Sequence, residues 1–565
     1  MRVLIIGGVA GGATAAARLR RLDETAEIII LERGGFVSYA NCGLPYYIGG
    51  VIKSKAALTL QTPESFWSRF RIEVRVNNEA TAIDLARKTV AVKQTVTGEC
   101  YEITYDKLIL SPGAHAAVPR IPGIESERIF TLRTVEDTYK IHDFISKKHP
   151  TRAVVVGGGF IGLEMAENLI ERGIDVQLVQ HSRQVMPPLD YDMACQVSSY
   201  LRSKNVILKL NESVEGFSAD DNKLIVKTAG GDAITADFAI LAIGVGPEPQ
   251  LAVTAGIKTG QKGAIIVNDR METSAKDVYA VGDAVEITHF VTQRAALIAL
   301  AGPANKQGRI AADNICGRDA HFGGTQGSSV IKLFDMTVAS TGISEKLAEA
   351  AGIAAECAIT YSAAHATYYP GATDMTIKTI FEPASGKILG AQIIGFEGVD
   401  KRIDVLATAI RGGMTACDLE ELELSYAPPF SSAKDPVNMA GFVIENVRGG
   451  LVKQHYWHEV AALPRDGSVT ILDTRTESEF AGGHIPGAVN IPLDTLRAHL
   501  SQLRRDVPVY VNCFSGLRSY IACRILTQNG FSCSNLAGGY RFYSYIANEC
   551  DYNADPTHPC GCSLL

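Results

Sequence analysis

Two short hydrophobic runs in the chain are each followed by a glycine-rich turn and a helical pattern. The first run, residues 3–6, leads into the turn 7–12, and the second, residues 153–156, leads into the turn 157–162. Another strand-like run follows each helix, at 28–31 and at 176–179. A buried strand, a glycine turn and a helix start in this order are typical of βαβ units that bind nucleotides. The pattern therefore predicts two dinucleotide sites in one chain.

Later segments show other patterns. From about residue 323 strand-like runs alternate with helical ones without a glycine turn, which predicts an α+β domain. Near the C-terminus, strands at 469–472 and 507–511 and a helix from Arg518 predict a compact α/β domain. The predicted fold class is thus α/β, with two Rossmann-like dinucleotide domains, an α+β domain and a C-terminal α/β domain. The predicted bounds are 1–118 and 247–322 for the first dinucleotide domain, 119–246 for the second, 323–446 for the α+β domain, 447–458 for a linker, 459–547 for the last domain and 548–565 for a tail without periodicity.

Composition narrows the classes of function. Hydrophobic residues are 46% and charged residues 20% of the 565 positions, an ordinary globular balance. The formal net charge is −7 and no run of five Lys or Arg occurs, which argues against nucleic acid and anionic membranes as partners. Twelve cysteines without an export signal predict a cytoplasmic protein in which some cysteines are catalytic. No metal site is predicted, although Cys550, Cys560 and Cys562 leave metal binding or sulfur relay open for the tail.

The first glycine turn carries Gly7 and Gly12 at the outer positions of a G-x-G-x-x-G motif, with Val9 at the middle one. Such glycines allow a tight turn that points a helix N-terminus at a pyrophosphate. Glu32, about 20 residues further on, is placed to bind a ribose diol. Residues 273–283, ending in Gly282 and Asp283, resemble the second FAD motif of flavoproteins with two dinucleotides, so FAD is the predicted cofactor. Arg33, Ser111 and Gly113 are also predicted to bind cofactor.

The second turn, with Gly157, Gly159 and Gly162, matches the full motif and predicts a site for NADH or NADPH. Gln180 occupies the position where an acidic residue usually binds the ribose. Without that carboxylate a 2′-phosphate is not repelled, so the sequence leaves the choice between NADH and NADPH open.

Cys42 lies in the segment after the first ribose strand, where the chain is expected to pass the flavin. A second cysteine in a Cys-x4-Cys pair would stand at position 47, which is Tyr47. Cys42 is therefore predicted to be catalytic and to exchange electrons with a substrate thiol, or to carry oxygen as a sulfenic acid.

Residues 1 to about 446 resemble the coenzyme A disulfide reductase family. Three segments carry the resemblance: Asn-Cys-Gly-Leu-Pro-Tyr at 41–46, His-Ala-Thr-Tyr-Tyr-Pro-Gly at 365–371, and Tyr-Ala-Pro-Pro at 426–429 with Asp-Pro at 435–436. The resemblance implies a homodimer, a dimerisation domain at 323–446, and coenzyme A as thiol carrier. Related oxidases and peroxidases carry a histidine near Val9 and Ala10, and its absence argues against peroxide chemistry.

The same resemblance implies further site residues. Tyr368 and Tyr426 are expected to reach the partner subunit's active site and protonate, or hydrogen-bond to, a leaving thiolate. The alternative is that Tyr369 and Tyr426 only pack. Arg18, Arg21, Ser38 and Asn41 are expected to line a coenzyme A channel. Arg18 and Arg21, three residues apart on one helix face, suit a phosphate, but a solvated charged face is the alternative.

The last domain resembles a single rhodanese domain. Its loop runs from Cys513 through Arg518, the Cys-x4-Arg spacing of sulfurtransferases, and flanking signatures match at 473–475 and 483–488. A loop that points N–H groups at sulfur stabilises a thiolate and its persulfide. Cys513 and Arg518 are therefore predicted to be catalytic. The loop of related phosphatases is one residue longer, so ester hydrolysis is disfavoured.

Together these features predict an FAD-dependent NAD(P)H reductase of coenzyme A persulfide, polysulfide or coenzyme A disulfide, with a rhodanese domain that handles sulfane sulfur. Two alternatives stay open from the sequence. One is an NADH oxidase in which Cys42 cycles through sulfenic acid, and the other is a non-catalytic module that stores sulfur or senses redox state.

Overall fold

The computed structural model of the chain describes residues 1–220 and 223–552. The contacts divide the chain into two units, one formed by 1–183 and 205–327 and the other by 184–204 and 328–565. In the part of the chain that is described, no helix combines the length and the hydropathy needed to cross a bilayer.

The first unit contains a parallel sheet built on the N-terminal hydrophobic run. Its strands are, in spatial order, Val278–Ala280, Lys107–Leu110, Arg2–Ile6, Glu27–Leu31 and Glu73–Arg75. Helices Ala10–Leu22 and Ala301–Ile315 pack against each other beside this sheet. Because the central strands are buried on both faces, they contain nearly continuous Val, Ile and Leu. An antiparallel sheet follows, with strands Asn78–Asp84, Thr89–Gln94 and Cys100–Thr104.

A second parallel sheet repeats this plan around the second glycine turn. Its strands are Ile207–Lys209, Asp175–Val179, Arg152–Val156, Phe238–Leu241 and Ile129–Thr131. Helices Val135–Lys148 and Phe160–Glu171 belong to it, and an antiparallel sheet adds Val214–Asp220, Lys223–Thr228 and Ala233–Ala236. The remaining short elements of this unit are strands Ala114–Ala116, Val245–Pro247, Ile265–Ile266, Val285–Thr288 and Ala295–Ala296, and helices Leu44–Gly49, Pro63–Phe70 and Gln250–Thr254.

The second unit begins with helix Tyr191–Ser203, which the predicted bounds had placed in the second dinucleotide domain. The helix belongs to the second unit because its charged residues form ion pairs with residues of that unit. Asp192 is ion-paired with Lys378, and Arg202 with Glu549. An antiparallel sheet follows, with strands Ser329–Leu333, Met336–Gly342, Ile388–Gly395, Asp374–Phe381 and Glu356–Ala363. Its helices are Glu345–Ala351, Val399–Gly412, Ala416–Glu421 and Pro436–Arg448.

The C-terminal domain has a parallel sheet with strands Gln454–His455, Cys533–Leu536, Val509–Asn512, Thr470–Asp473 and Val489–Asn490. Its helices are Trp457–Val460, Glu477–Ala481, Leu496–His499, Leu517–Gln528 and Gly539–Tyr552. The segment 447–458, predicted as a linker, contributes the edge strand Gln454–His455, because Val452 and His455 are buried in this domain. The predicted tail overlaps the last helix up to Tyr552, and Cys560 and Cys562 lie outside the described residues.

Candidate active sites

The first glycine turn is closed by backbone contacts that leave no room for a side chain. A Cβ on Gly7, whose φ is +96°, would lie 2.0 Å from the Ser111 carbonyl oxygen, and one on Gly12 would lie 1.9 Å from the Gly7 oxygen. The turn therefore requires glycine, and it brings the N-terminus of helix Ala10–Leu22 to the carboxyl ends of the strands. Unpaired N–H groups at such an end suit a pyrophosphate, so the turn fits a dinucleotide.

Glu32 and Gln180 hold the two turns in the same way. The Glu32 carboxylate accepts hydrogen bonds from the backbone N–H groups of Gly8 and Gly34, both at 2.9 Å. Burial raises the pKa of Glu32, although these two N–H groups oppose the shift. In the second turn Gly158 N–H donates to Gln180 Oε1 at 2.9 Å. A Cβ on Gly159 would meet nothing within 4 Å, so that turn faces open space.

Arg133 links several residues of the first cofactor site and was not singled out from the sequence. Its guanidinium donates to Asp283 Oδ2 at 2.5 Å and to the Ala114 carbonyl at 3.1 Å. With its amide nitrogen toward the Arg133 carbonyl, Asn41 also hydrogen-bonds to Arg133. Gly282, with a φ of +82°, donates to Gln307 at 2.7 Å. The structure thus brings Asp283, Gly113 and Asn41 together around Arg133. Arg33 instead contacts Glu248 at 3.3 Å.

Cys42 lies in a one-turn 3-10 helix, Asn41–Gly43, directly before helix Leu44–Gly49, and its side chain is exposed. Partial desolvation raises the pKa of Cys42, the Glu164 carboxylate raises it further, and Arg133 lowers it. The resting group is therefore a thiol that needs a proton acceptor before it can attack sulfur.

Glu164 and Tyr46 supply ionisable groups beside Cys42, and sequence analysis missed both. Burial and the charge of Glu167 raise the pKa of Glu164 to about 7, while a hydrogen bond from Tyr46 opposes the shift. Burial and Glu164 raise the pKa of Tyr46 to about 12. The available signal was spacing alone: Tyr46 stands four residues after Cys42, and Glu164 two residues after the last motif glycine.

The residues predicted to line a coenzyme A channel differ in their contacts. Arg18 is ion-paired with Asp313, with Nη2 and Oδ1 2.6 Å apart, rather than free for a phosphate. Arg21 on the same helix is exposed. Ser38 has a left-handed φ of +47° and donates its N–H to the Gly8 carbonyl at 2.8 Å, which places it on the first glycine turn. The binding of coenzyme A by these residues stays a prediction.

Tyr368 and Tyr426 are brought together in the second unit. Their hydroxyl oxygens are 2.6 Å apart, both side chains are exposed, and their hydrogen bond raises the pKa of Tyr368. Buried Arg402 connects the two tyrosine segments: it donates to the Ala364 carbonyl at 3.0 Å and to Asp435 at 2.9 Å. Tyr369 instead lies edge-on to His365, with ring centres 5.6 Å apart.

Cys513 is buried at the base of the predicted loop. Its Sγ accepts hydrogen bonds from Gly516 N–H at 3.1 Å and from the Ser519 hydroxyl at 3.2 Å. Gly539, with a φ of +65°, lies so close beneath the loop that a Cβ there would be 2.7 Å from the Cys513 carbonyl oxygen. Donors aimed at sulfur are the arrangement that stabilises a thiolate or persulfide.

Arg518 does not point freely into this loop. Its two terminal nitrogens donate to the two oxygens of Glu479 at 2.8 and 2.7 Å. These bonds, with further hydrogen bonds from Thr476, lower the pKa of Glu479 to about 2, although burial opposes the shift. In the flanking signature, Arg475 forms a buried ion pair with Asp473, with Nη2 and Oδ2 2.6 Å apart.

Comparison with known proteins agrees with this arrangement. Residues 1–308 match the pyridine nucleotide-disulphide oxidoreductase family, residues 328–436 its dimerisation domain, and residues 457–544 the rhodanese-like domain. A coenzyme A disulfide reductase of Staphylococcus aureus (strain JH9) is 37% identical over 442 residues, 78% of this chain and 99% of that protein. The structure of reduced Bacillus anthracis CoADR-RHD superposes with a TM-score of 0.95 at 47% identity, covering 97% of this chain and 98% of that one. A NAD-dependent persulfide reductase from A. fulgidus superposes with a TM-score of 0.90 at 39% identity, covering 96% and 100%.

Two dinucleotide folds, Cys42 without a Cys-x4-Cys partner, and a rhodanese domain define an NAD(P)H-dependent flavoprotein disulfide oxidoreductase with a sulfurtransferase-type domain. The chain belongs to the pyridine nucleotide-disulphide oxidoreductase family, and within it to the coenzyme A disulfide reductases fused to a C-terminal rhodanese domain. FAD and NAD(P)H are the cofactors of this family. The predicted family and fold class are confirmed, whereas the individual site residues and exact domain bounds stay predictions.

Proposed function

We propose that the enzyme uses NADH or NADPH to reduce coenzyme A persulfide, polysulfide or coenzyme A disulfide, and releases sulfide or coenzyme A thiol. The observation that carries the proposal is the presence of two different cysteine sites in one chain. Cys42 is exposed beside the first dinucleotide fold, whereas Cys513 is buried among hydrogen-bond donors. The first suits reduction of an S–S bond, and the second suits storage of sulfane sulfur.

The first glycine turn, Glu32 and Asp283 would hold FAD, and the second turn with Gln180 would hold the nicotinamide cofactor. When bound, FAD would supply the electron transfer from the nicotinamide to the sulfur at Cys42. Gln180 carries no charge, so neither nicotinamide cofactor is repelled at this position.

Cys42 must lose its proton before Sγ can attack the outer sulfur of a substrate. Glu164 is suited to accept that proton, because its pKa of about 7 lies near neutral pH. Tyr46 hydrogen-bonds to Glu164 and keeps its own proton at this pH, since its pKa is raised to about 12. The pair thus provides a proton store next to the thiol.

The hydroxyl pair of Tyr368 and Tyr426 is suited to protonate a leaving thiolate. Both groups stand exposed on the domain that matches the family's dimerisation domain. We propose a homodimer in which this pair serves the partner subunit's Cys42. Coenzyme A would enter past Arg21, Ser38 and Asn41, with Arg18 contributing only if its ion pair with Asp313 opens.

Cys513 would receive sulfane sulfur and pass it to coenzyme A or to Cys42. Both cysteines act as thiols, so the proposed compartment is a reducing one such as the cytoplasm. The pairing of Arg518 with Glu479 offsets the positive charge of the guanidinium beside the loop.

The test is NADH and NADPH consumption with coenzyme A persulfide and with coenzyme A disulfide, under argon, for the wild type and for Cys42→Ser. We expect Cys42→Ser to keep its flavin absorbance and to lose turnover with both substrates. Cys100→Ser, which changes an exposed cysteine hydrogen-bonded to the Gly98 carbonyl, is the control and should behave as wild type. A yellow Cys42→Ser variant that retains turnover would refute the assignment. In a separate aerobic assay with NADH and no sulfur substrate, rapid oxygen uptake by the wild type would favour an oxidase instead.

A further inference from the structure

The rhodanese domain contains a second pair of sulfur atoms besides Cys513. Cys523 lies on helix Leu517–Gln528, is 1% exposed and belongs to the core of the domain. Cys533 is the first residue of strand Cys533–Leu536, packs against the same core and is partly exposed. The Sγ of Cys533 lies 3.4 Å from the carbonyl oxygen of Cys523, so the two residues are in direct contact.

Neighbouring groups fix Cys533 in this position. As a thiol it donates to the Cys523 carbonyl oxygen at 3.4 Å, and the Thr527 hydroxyl is 3.3 Å from its Sγ. As a thiolate it would accept from Thr527 and from the Cys523 thiol. Thr527 is exposed, so the approach to Cys533 is open on that side.

The two thiols differ in acidity because they share one hydrogen bond. The bond from Cys523 lowers the pKa of Cys533 to about 7, against the opposing effect of burial. The same bond and burial raise the pKa of Cys523. A cysteine of lowered pKa beside a cysteine of raised pKa is the arrangement that redox-active dithiols use.

We propose that Cys523 and Cys533 form a second sulfur-reactive site, a dithiol that reduces one sulfane sulfur atom of a polysulfide to sulfide and becomes a disulfide. The choice of polysulfide as oxidant rests on the proposed function of the enzyme.

The reaction has two displacements. The Cys533 thiolate attacks the outer sulfur of the polysulfide, the adjacent S–S bond breaks, and the shortened polysulfide leaves with the electron pair. The Cys523 thiol then attacks Cys533 Sγ, the persulfide bond breaks, and the outer sulfur leaves as hydrogen sulfide with the Cys523 proton. Two electrons pass from the dithiol to one sulfane sulfur, and the new S–S bond closes at about 2.05 Å.

The site lies against the same elements that hold the Cys513 loop. Ser519, which donates to Cys513 Sγ, is one helical turn before Cys523. Asn535, two residues after Cys533 on the same strand face, donates to the Gly516 carbonyl at 3.3 Å. A disulfide would therefore join the helix and the strand that border the sulfur-carrying loop.

The experiment uses the full chain with Cys42→Ser and Cys513→Ser, so that neither of the two proposed catalytic cysteines takes part. This background protein is treated anaerobically with inorganic polysulfide, alkylated with iodoacetamide under denaturing conditions and digested with trypsin. Cleavage after Arg518, Arg524 and Arg541 places the two cysteines in separate peptides, 519–524 and 525–541. We expect these peptides to be recovered cross-linked by a disulfide, with one sulfide released for each cross-link.

Two added substitutions separate the steps. Cys523→Ala should stop the reaction at a Cys533 persulfide, seen as peptide 525–541 heavier by one sulfur atom. Cys533→Ser should remove both the cross-link and the matching sulfide release, and its partly exposed position keeps the test valid even where the buried Cys523→Ala variant does not fold. Cys100→Ser in the same background should leave the cross-link unchanged.

Recovery of both peptides fully alkylated from the treated background protein would overturn the proposal, as would equal sulfide release from the Cys533→Ser variant. The readout needs no NADH, so a failure of NADH-driven turnover and a failure of the dithiol site are seen separately.

Discussion

Glu164 controls the charge beside Cys42 in the pH range in which the enzyme would work. Its carboxyl group is protonated below its pKa of about 7 and ionised above it, and the ionised form raises the pKa of Cys42. The thiol is therefore hardest to deprotonate when Glu164 is charged. A single half-buried carboxyl group thus couples two protonation steps.

Removing this charge should make Cys42 more acidic. We predict that Glu164→Gln shifts the pH profile of Cys42 alkylation by iodoacetamide to lower pH, while the amide keeps a hydrogen bond to Tyr46. Reduction of substrate should slow, because the proton acceptor is lost, by roughly 10²-fold. Glu171→Gln, an exposed position on the same helix, is the control. A profile unchanged from wild type would show that the charge of Glu164 does not affect the pKa of Cys42.

The tyrosine pair offers a second residue-level test. We predict that Tyr426→Phe slows release of the thiol product by roughly 10²-fold or more, while flavin reduction by NADH stays near wild type, because a proton donor is lost. Stopped-flow absorbance separates the two half-reactions. Tyr369→Phe, a neighbour that lies against His365, is the control. Equal rates for both variants in the oxidative half-reaction would mean that Tyr426 only packs.

The loop around Cys513 depends on a close backbone approach at the element scale. A Cβ on Gly539 would lie 2.9 Å from the nitrogen of Gly516, the same N–H that donates to Cys513 Sγ. Helix Gly539–Tyr552 thus starts against the loop that strand Val509–Asn512 leads into. The sulfur site therefore depends on the position of this helix relative to this strand.

Substitution at this contact should damage sulfur transfer selectively. We predict that Gly539→Ala lowers thiocyanate formation from a polysulfide donor and cyanide at least tenfold, whereas NADH-driven reduction of coenzyme A disulfide is retained. Gly530→Ala is the matched control: its φ of +83° is also left-handed, but a Cβ there meets nothing within 4 Å. Both variants should lose roughly 1–2 kcal/mol of stability from backbone strain. A similar loss of sulfur transfer in both would assign the effect to stability rather than to the loop.

Two cysteine sites in one chain imply a division of labour at the scale of the whole molecule. We predict that Cys513→Ser abolishes sulfurtransfer from polysulfide but leaves reduction of preformed coenzyme A persulfide mostly intact. NADH consumption with each substrate measures it. Equal loss on both substrates would make Cys513 an obligate relay to Cys42, and no loss on either would make the rhodanese domain incidental to the reductase.

Short-range patterns were sufficient for most of the architecture. The expected strand 28–31 lies within Glu27–Leu31, and the expected strand 176–179 lies within Asp175–Val179. The largest differences are at domain borders, where helix Tyr191–Ser203 joins the second unit and 454–455 joins the rhodanese sheet. Those assignments depend on contacts with residues far along the chain, which local periodicity does not encode.

The sequence by itself determined the family, and it predicted the two dinucleotide turns and the roles of Cys42 and Cys513, because glycine turns and cysteine loops are motifs of consecutive residues. Only the tertiary structure decided what surrounds them. Arg133 meets Asp283, and Glu164 meets Tyr46, across more than a hundred residues of chain in each case. Lys378 is fully buried because Asp190, Asp192 and Glu345 converge on its amine. The pKa of a group and the ion pairs of an arginine such as Arg18 depend on which residues lie near it in space. They therefore follow from the packing of the chain and not from the spacing of residues along the sequence.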